Sequence, residues 1–289
     1  MSFSLIVNST NNVGTNNNTY LYNFIQGNFT IPEDSEIMVS ACQIPYSFYN
    51  ITSAYNNNSF SFSFPTGASG YITTTIVIPD GFYTTTSLNA YLQQWMIGKG
   101  YYLVNSSGQN VYYLSIQYNT FQYGNQIICT PVPISLPTGY TQPSNWAGYP
   151  SVSRTPYITI LSTTTNNFYK YLGFNAGDYG ISQTSSQSYN SQLTPQGSTV
   201  NSIIIRCSLV KNNVGIPMDM LDSFPISNTS FGANINYNPQ VAKWVKLNSG
   251  TFSNFIITIC DQNLNLIQSL DNNILLTLLI RFPNKNLLQ

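Results

Sequence analysis

The chain has 289 residues, 42% hydrophobic but only 6% charged, with nine Lys and Arg balancing nine Asp and Glu. That apolar content fills a sizeable core and excludes a disordered polar chain. The scattered cations, of which only Lys243 and Lys246 fall close together, exclude the basic footprint of a nucleic-acid binder.

The N-terminal "MSFSLIVNSTNN" has no basic flank and too short an apolar stretch for a secretory signal, so the chain is expected not to be secreted. Its apolar part, 3–8, reads as a strand. Further strands are expected at 20–30, 35–44 and 59–64. "SFSFSF" alternates strictly there, the mark of a half-buried strand. The run 71–78 ends at Pro79, and Asp80-Gly81 makes a turn.

A single amphipathic helix is expected at about 85–97. Leu88, Tyr91, Leu92, Trp95 and Met96 form one apolar face at helical spacing. Thr85, Thr86 or Ser87 supplies the N-cap, Phe82 and Tyr83 staple the start, and Gly98 and Gly100 stop the helix. The apolar face is expected to cover a flank of the sheet structure.

Strands are expected again at 111–118, 125–132, 156–161, 202–210, 252–260 and 273–282. "SIIIRC" and "NILLTLLI" are continuous apolar runs, expected where both faces are covered. "CDQN" and "LDNN" read as turns around the last strands. Two long Gly/Pro/Ser/Gln segments, 133–155 and 174–199, read as extended loops that are functional or interface-forming. Many strands and one helix predict an all-β sandwich or barrel. No linker or internal repeat divides 1–289, so one domain is expected.

Chemistry-bearing motifs are few. With no histidine in the chain, Ser-His-Asp and Cys-His catalysis and HExxH zinc sites are ruled out. Cys42, Cys129, Cys207 and Cys260 each sit in or beside an apolar run without CxxC spacing. They read as buried free thiols, suited to a reducing compartment. "GFNAGDYG" lacks dinucleotide-loop spacing, and no P-loop exists. Glu33, Asp34, Glu36, Asp80, Asp178, Asp219, Asp222, Asp261 and Asp271 are the candidates for an acid pair that hydrolyses a glycoside. Most adjoin Gly, Pro, Asn or Ser and read as turn formers. No catalytic, cofactor-binding or metal site is therefore assigned, and the chain is read as a non-enzyme. No apolar run is long enough for a transmembrane helix. The aromatics, spread along the whole chain, read as core and interface residues. A surface of Asn, Gln, Ser, Thr and Tyr with zero net charge favours association.

The order of several motifs carries a family resemblance. "SEIMVSACQIPYSFYNITSAYNNNSFSFSF" precedes "IVIPDGFYTTTSLNAYLQQWM" and "GYYLVNSSGQNVYYLSIQYNTFQY". Then come "PISLPTGYTQPSNW", "YLGFNAGDYG", "IIIRCSLVKNN", "FGANINYNP" and "IITICDQNLNLIQSLDNNILLTLLIRF". Over roughly Tyr20 to Phe282 this resembles the penton, or minor capsid, proteins of the double-jelly-roll DNA-virus lineage: virophages, polinton-like viruses and some giant viruses. The resemblance implies one jelly roll of two antiparallel sheets, with an N-terminal arm 1–19 and insertions near 133–155 and 174–199. It implies a homopentamer at icosahedral five-fold vertices of the virion, among trimers of the major capsid protein. A non-vertex cement protein and a carbohydrate-binding adhesin are the alternatives.

Overall fold

Strand Ser2–Asn8 lies antiparallel to Leu275–Arg281, from the other end of the chain. Inside that pair, Thr19–Asn23 pairs with Asn254–Cys260. Further in, Glu36–Pro45 pairs with Asn234–Tyr237, and innermost Ser202–Cys207 pairs with Met220–Pro225. First pairs with last, second with second-last, and so on: one long antiparallel hairpin of four nested pairs. Rolling it up sets Leu275–Arg281 against Glu36–Pro45 and Ser202–Cys207 against Asn254–Cys260. One sheet then runs first, eighth, third, sixth, and the other second, seventh, fourth, fifth. This is the double Greek key of a jelly roll. In this computed structural model, residues 2–67, 70–198 and 200–283 are described.

The chain divides into two compact units, Met1–Phe48 with Val200–Gln289 and Tyr49–Thr199. The first is the jelly roll. Its core takes alternate residues from the rolled strands: Val7, Ile37, Ile203, Ile205, Ile257, Leu278 and Ile280 are all buried. "SIIIRC" shows one buried face and one half-buried face rather than two buried faces. The segment expected as an arm contains the first strand, whose Leu5 and Ile6 face Leu278 and Thr277.

The second unit is inserted between the third and fourth strands of the roll. Its larger sheet orders Gly70–Val77, Ser59–Thr66, Tyr157–Ile160 and Gly177–Tyr179. A second sheet orders Gln187–Asn190, Gly124–Cys129 and Leu114–Asn119, and Tyr102–Val104 pairs with Asn110–Tyr112. Phe60, Phe62 and Phe64, the apolar half of "SFSFSF", are buried at its centre. Phe64 stacks on Tyr101 at 4.4 Å and Phe60 on Phe168 at 4.9 Å. The two ends of the insert meet at Asn50, whose amide donates to the Gly197 carbonyl at 2.6 Å and the Tyr83 carbonyl at 2.7 Å.

The expected helix is α1, Thr85–Lys99. It belongs to the insert and packs on the insert's own core. Leu88, Leu92 and Met96 are buried, and Tyr91 and Trp95 pack against the insert's core. Its N-cap is Thr84, one residue before the expected candidates, in a capping box with Ser87. A second helix, α2, spans Phe168–Leu172. Five residues are too few to show a 3.6-residue period.

Gly100 ends α1 with φ +70°. A Cβ there would lie 2.0 Å from the Asn145 carbonyl oxygen, which is backbone and cannot swing aside. Asn145 in turn donates to the carbonyls of Ile97 and Gly98. Segment 133–155, expected as an extended loop, is held on the helix end, with Trp146, Ala147 and Tyr149 packed against the core. Gly100→Ala should destabilise the insert by about 2 kcal/mol or more, from left-handed strain plus the clash. Chemical denaturation checks this, and a loss under about 0.5 kcal/mol would contradict the close approach.

Candidate interaction site

Two strands not expected from the sequence build a concavity of the jelly roll. "MLDSFP" (Met220–Pro225) carries Asp, Ser and Pro, and "NINY" (Asn234–Tyr237) is half amide, so neither has a strong strand signal. Phe224 and Tyr237, from the two strands, stack at 4.1 Å and 9°. With Pro225, Ile235, Pro239 and Val241 they line an open cleft of about 530 Å³, rimmed by Asn236, Asn238, Gln240 and Lys243.

Asp222 lies beside this cleft with its side chain only 3% exposed. Burying a carboxylate is costly unless every oxygen is satisfied. Here Lys243 Nζ donates at 2.8 Å, Tyr237 Oη at 3.0 Å and the Ser223 amide at 2.8 Å. The hydrogen bond to Asp222 raises the Lys243 pKa, and burial raises that of Tyr237. The carboxylate is committed to structure: it orients Tyr237 and fixes Lys243 over the Tyr237 ring.

Seven of the other eight candidate carboxylates are committed in similar ways, and Glu33 is exposed. Asp219 forms a two-pronged pair with Arg206 at 2.9 Å. Glu36 pairs with Arg281, and both Asp34 and Glu36 approach Lys246. Asp261 accepts from the amides of Asn263 and Asn265, and Asp271 from that of Asn273, as expected for the "CDQN" and "LDNN" turns. Asp80 accepts from Ser53, and Asp178 from Thr159. Among the described residues, no three His, Cys, Asp or Glu side chains gather to hold a metal ion. All four cysteines are free and buried.

Two loop tips present large apolar side chains to solvent. Between Cys207 and Met220, Val214 is 98% and Ile216 92% exposed. Asn212 shapes that tip, its carbonyl side chain accepting from the amides of Val214 and Gly215. In the insert, the hairpin joining Leu114–Asn119 to Gly124–Cys129 exposes Phe121 and Tyr123. Single exposed hydrophobes are ordinary, but clusters on ordered tips mark contact surfaces. The jelly roll thus carries an apolar tip and a stacked aromatic cleft rimmed by amides, and the insert carries an aromatic tip of its own. Sequence reasoning did not anticipate the cleft, whose two strands carry weak strand signals.

No family model matches the chain, and no curated protein matches it. Solved structures similar to this chain include the two that follow. The mavirus penton protein has 10% sequence identity and a TM-score of 0.43, covering 97% of this chain and 99% of that one. A chain of the Sputnik virophage structure has 11% identity and a TM-score of 0.41, covering 96% and 97%. No helix among the described residues is long and apolar enough to cross a membrane.

Proposed function

We propose that this chain is a structural capsid protein of the penton type, built into the virion shell. Five copies would close a ring at an icosahedral vertex and contact the surrounding trimers of the major capsid protein. Jelly roll and insert would act as one building block in each copy. The observation that carries this reading is the eight-strand nested pairing of the jelly roll, a fold used for viral capsids and lectins. The motif order read from the sequence supports the capsid choice. So does a chain in which most carboxylates serve turns and ion pairs rather than an open catalytic cleft. The buried free thiols suit assembly inside a reducing host compartment.

A closed ring needs two different faces of each subunit to fit each other. With few charges, those faces would join by packing and neutral hydrogen bonds, so assembly should vary little with ionic strength. The native mass of the purified protein should correspond to five subunits, unchanged from about 0.1 M to about 1 M salt. A strict monomer that joins no particle, or a steep loss of oligomer with salt, overturns the reading. A monomer that binds a defined glycan through the Tyr237 cleft favours the adhesin alternative.

A further inference from the structure

Strand Gly70–Val77 is the edge of the insert's larger sheet and, among the described residues, pairs only with Ser59–Thr66. The direction of its backbone groups follows from the register. Ile78 N–H donates to the directly opposed Asn58 carbonyl at 2.7 Å. In an antiparallel pair, hydrogen-bonded and non-hydrogen-bonded positions alternate. Ile76, Thr74, Ile72 and Gly70 therefore bond inward. Tyr71, Thr73, Thr75 and Val77 turn their N–H and C=O groups to the open side. Two observations agree. Pro65, opposite Tyr71, has no N–H to give. The Val77 carbonyl accepts from Tyr91 Oη at 3.0 Å, on the side away from the neighbouring strand. Among the described residues, no strand or loop pairs with the backbone of Tyr71, Thr73 or Thr75.

Proteins blunt exposed edges with Lys, Pro, bulges or short strands. This edge uses none of them. It is eight residues long, uncharged, proline-free, rich in β-branched residues and unbroken in register. Ile72 and Val77 stand 44% and 62% exposed on its two faces.

We propose that this edge is a docking site for the same strand of a second copy, paired antiparallel about a two-fold axis beside Thr74. The choice of occupant rests on self-complementarity. With Thr73 opposite Thr75 and Tyr71 opposite Val77, the outward groups of Thr73 and Thr75 meet those of the copy, and the Val77 carbonyl, which already accepts from Tyr91 Oη, has its second lone pair for the copy's Tyr71. In the same register Ile72 gains cover from Ile76 of the second copy, and Val77 from its Tyr71. Because nothing on the strand is charged, like charges never face each other. The contact is two-fold and does not depend on a ring. In a ring-forming protein it joins two rings, so losing it leaves the ring mass intact.

The test reads amide exchange and mass together. At high protein concentration the amides of Tyr71, Thr73, Thr75 and Val77 should gain protection that dilution removes. Those of Ile72, Thr74 and Ile76 should be protected at both concentrations. Thr75→Pro removes only an outward N–H, so it should abolish the concentration-dependent doubling of mass while leaving the circular dichroism spectrum unchanged. Free exchange of the Thr73 and Thr75 amides at every concentration overturns the proposal, and this holds even if the proline variant fails to fold. Doubling that survives Thr75→Pro overturns it too. Protection that appears only when a different polypeptide is added overturns the choice of occupant.

Discussion

Phe62→Ala should destabilise the insert by about 4 kcal/mol, within the range for emptying a buried aromatic site. Phe62 is fully buried. Its ring meets Trp95 edge-on at 5.4 Å and stacks on Tyr101 at 5.8 Å. Its strand is held on both sides, with Thr74 and Ile158 opposite. The surroundings therefore cannot collapse into the cavity without breaking sheet register. Denaturant unfolding followed by tryptophan fluorescence reads the change, since Trp95 loses a contact directly. Phe121→Ala is the comparison. At 97% exposure its removal should cost less than about 0.5 kcal/mol in the isolated protein. Similar losses in the two variants would refute the core assignment.

Alkaline pH should unfold the protein well before its exposed groups alone would require. Burial pushes the Cys42, Cys129 and Cys207 thiols from an ordinary 9.0 up to about 12. Between pH 9 and 12 the unfolded chain releases these protons and the folded chain keeps them. The stability is fully present below pH 9 and falls as pH rises through that window. Each thiol removes about 1.4 kcal/mol per pH unit. Three acting together remove about 4 kcal/mol per unit, enough to exhaust a typical stability within a few units. Tyr20, raised to about 12 by burial, adds to the loss above its ordinary 10.0. Thermal melts under reducing conditions from pH 7 to 11 should show a falling midpoint above pH 9. In Cys207→Ala the slope should be shallower by about a third. A flat profile to pH 11 would show that the thiols titrate as if exposed.

Local periodicity made the strong elements legible. "SFSFSF" announced its strand because Phe and Ser alternate with the pleat. Leu88, Leu92 and Met96 announced α1 because they recur with the helical turn. The Cys residues announced their burial through apolar neighbours. What escaped was set by distant partners. Met220–Pro225 and Asn234–Tyr237 are strands because Ser202–Cys207 and Glu36–Pro45 pair with them, and their own residues say little. Asp222 looked like a turn former because only the fold brings Lys243 and Tyr237 to its oxygens. Segment 133–155 read as an extended loop, and its anchoring escaped because the Gly100–Asn145 approach is a backbone contact with no sequence signature. The N-cap was misplaced by one residue in a run of three threonines, where each hydroxyl is chemically equivalent until the backbone chooses.

The staple at Asn50 bears on how such a chain diversifies. The third and fourth strands of the roll lie in different sheets and do not pair with each other, so the link between them carries no ladder. Its two ends are already fastened side by side through Asn50 and Gly197. A cassette joined in this way can grow, shrink or be exchanged between lineages without altering the register of any jelly-roll strand. The insert can then change at the rate of a loop while the jelly-roll scaffold stays the same.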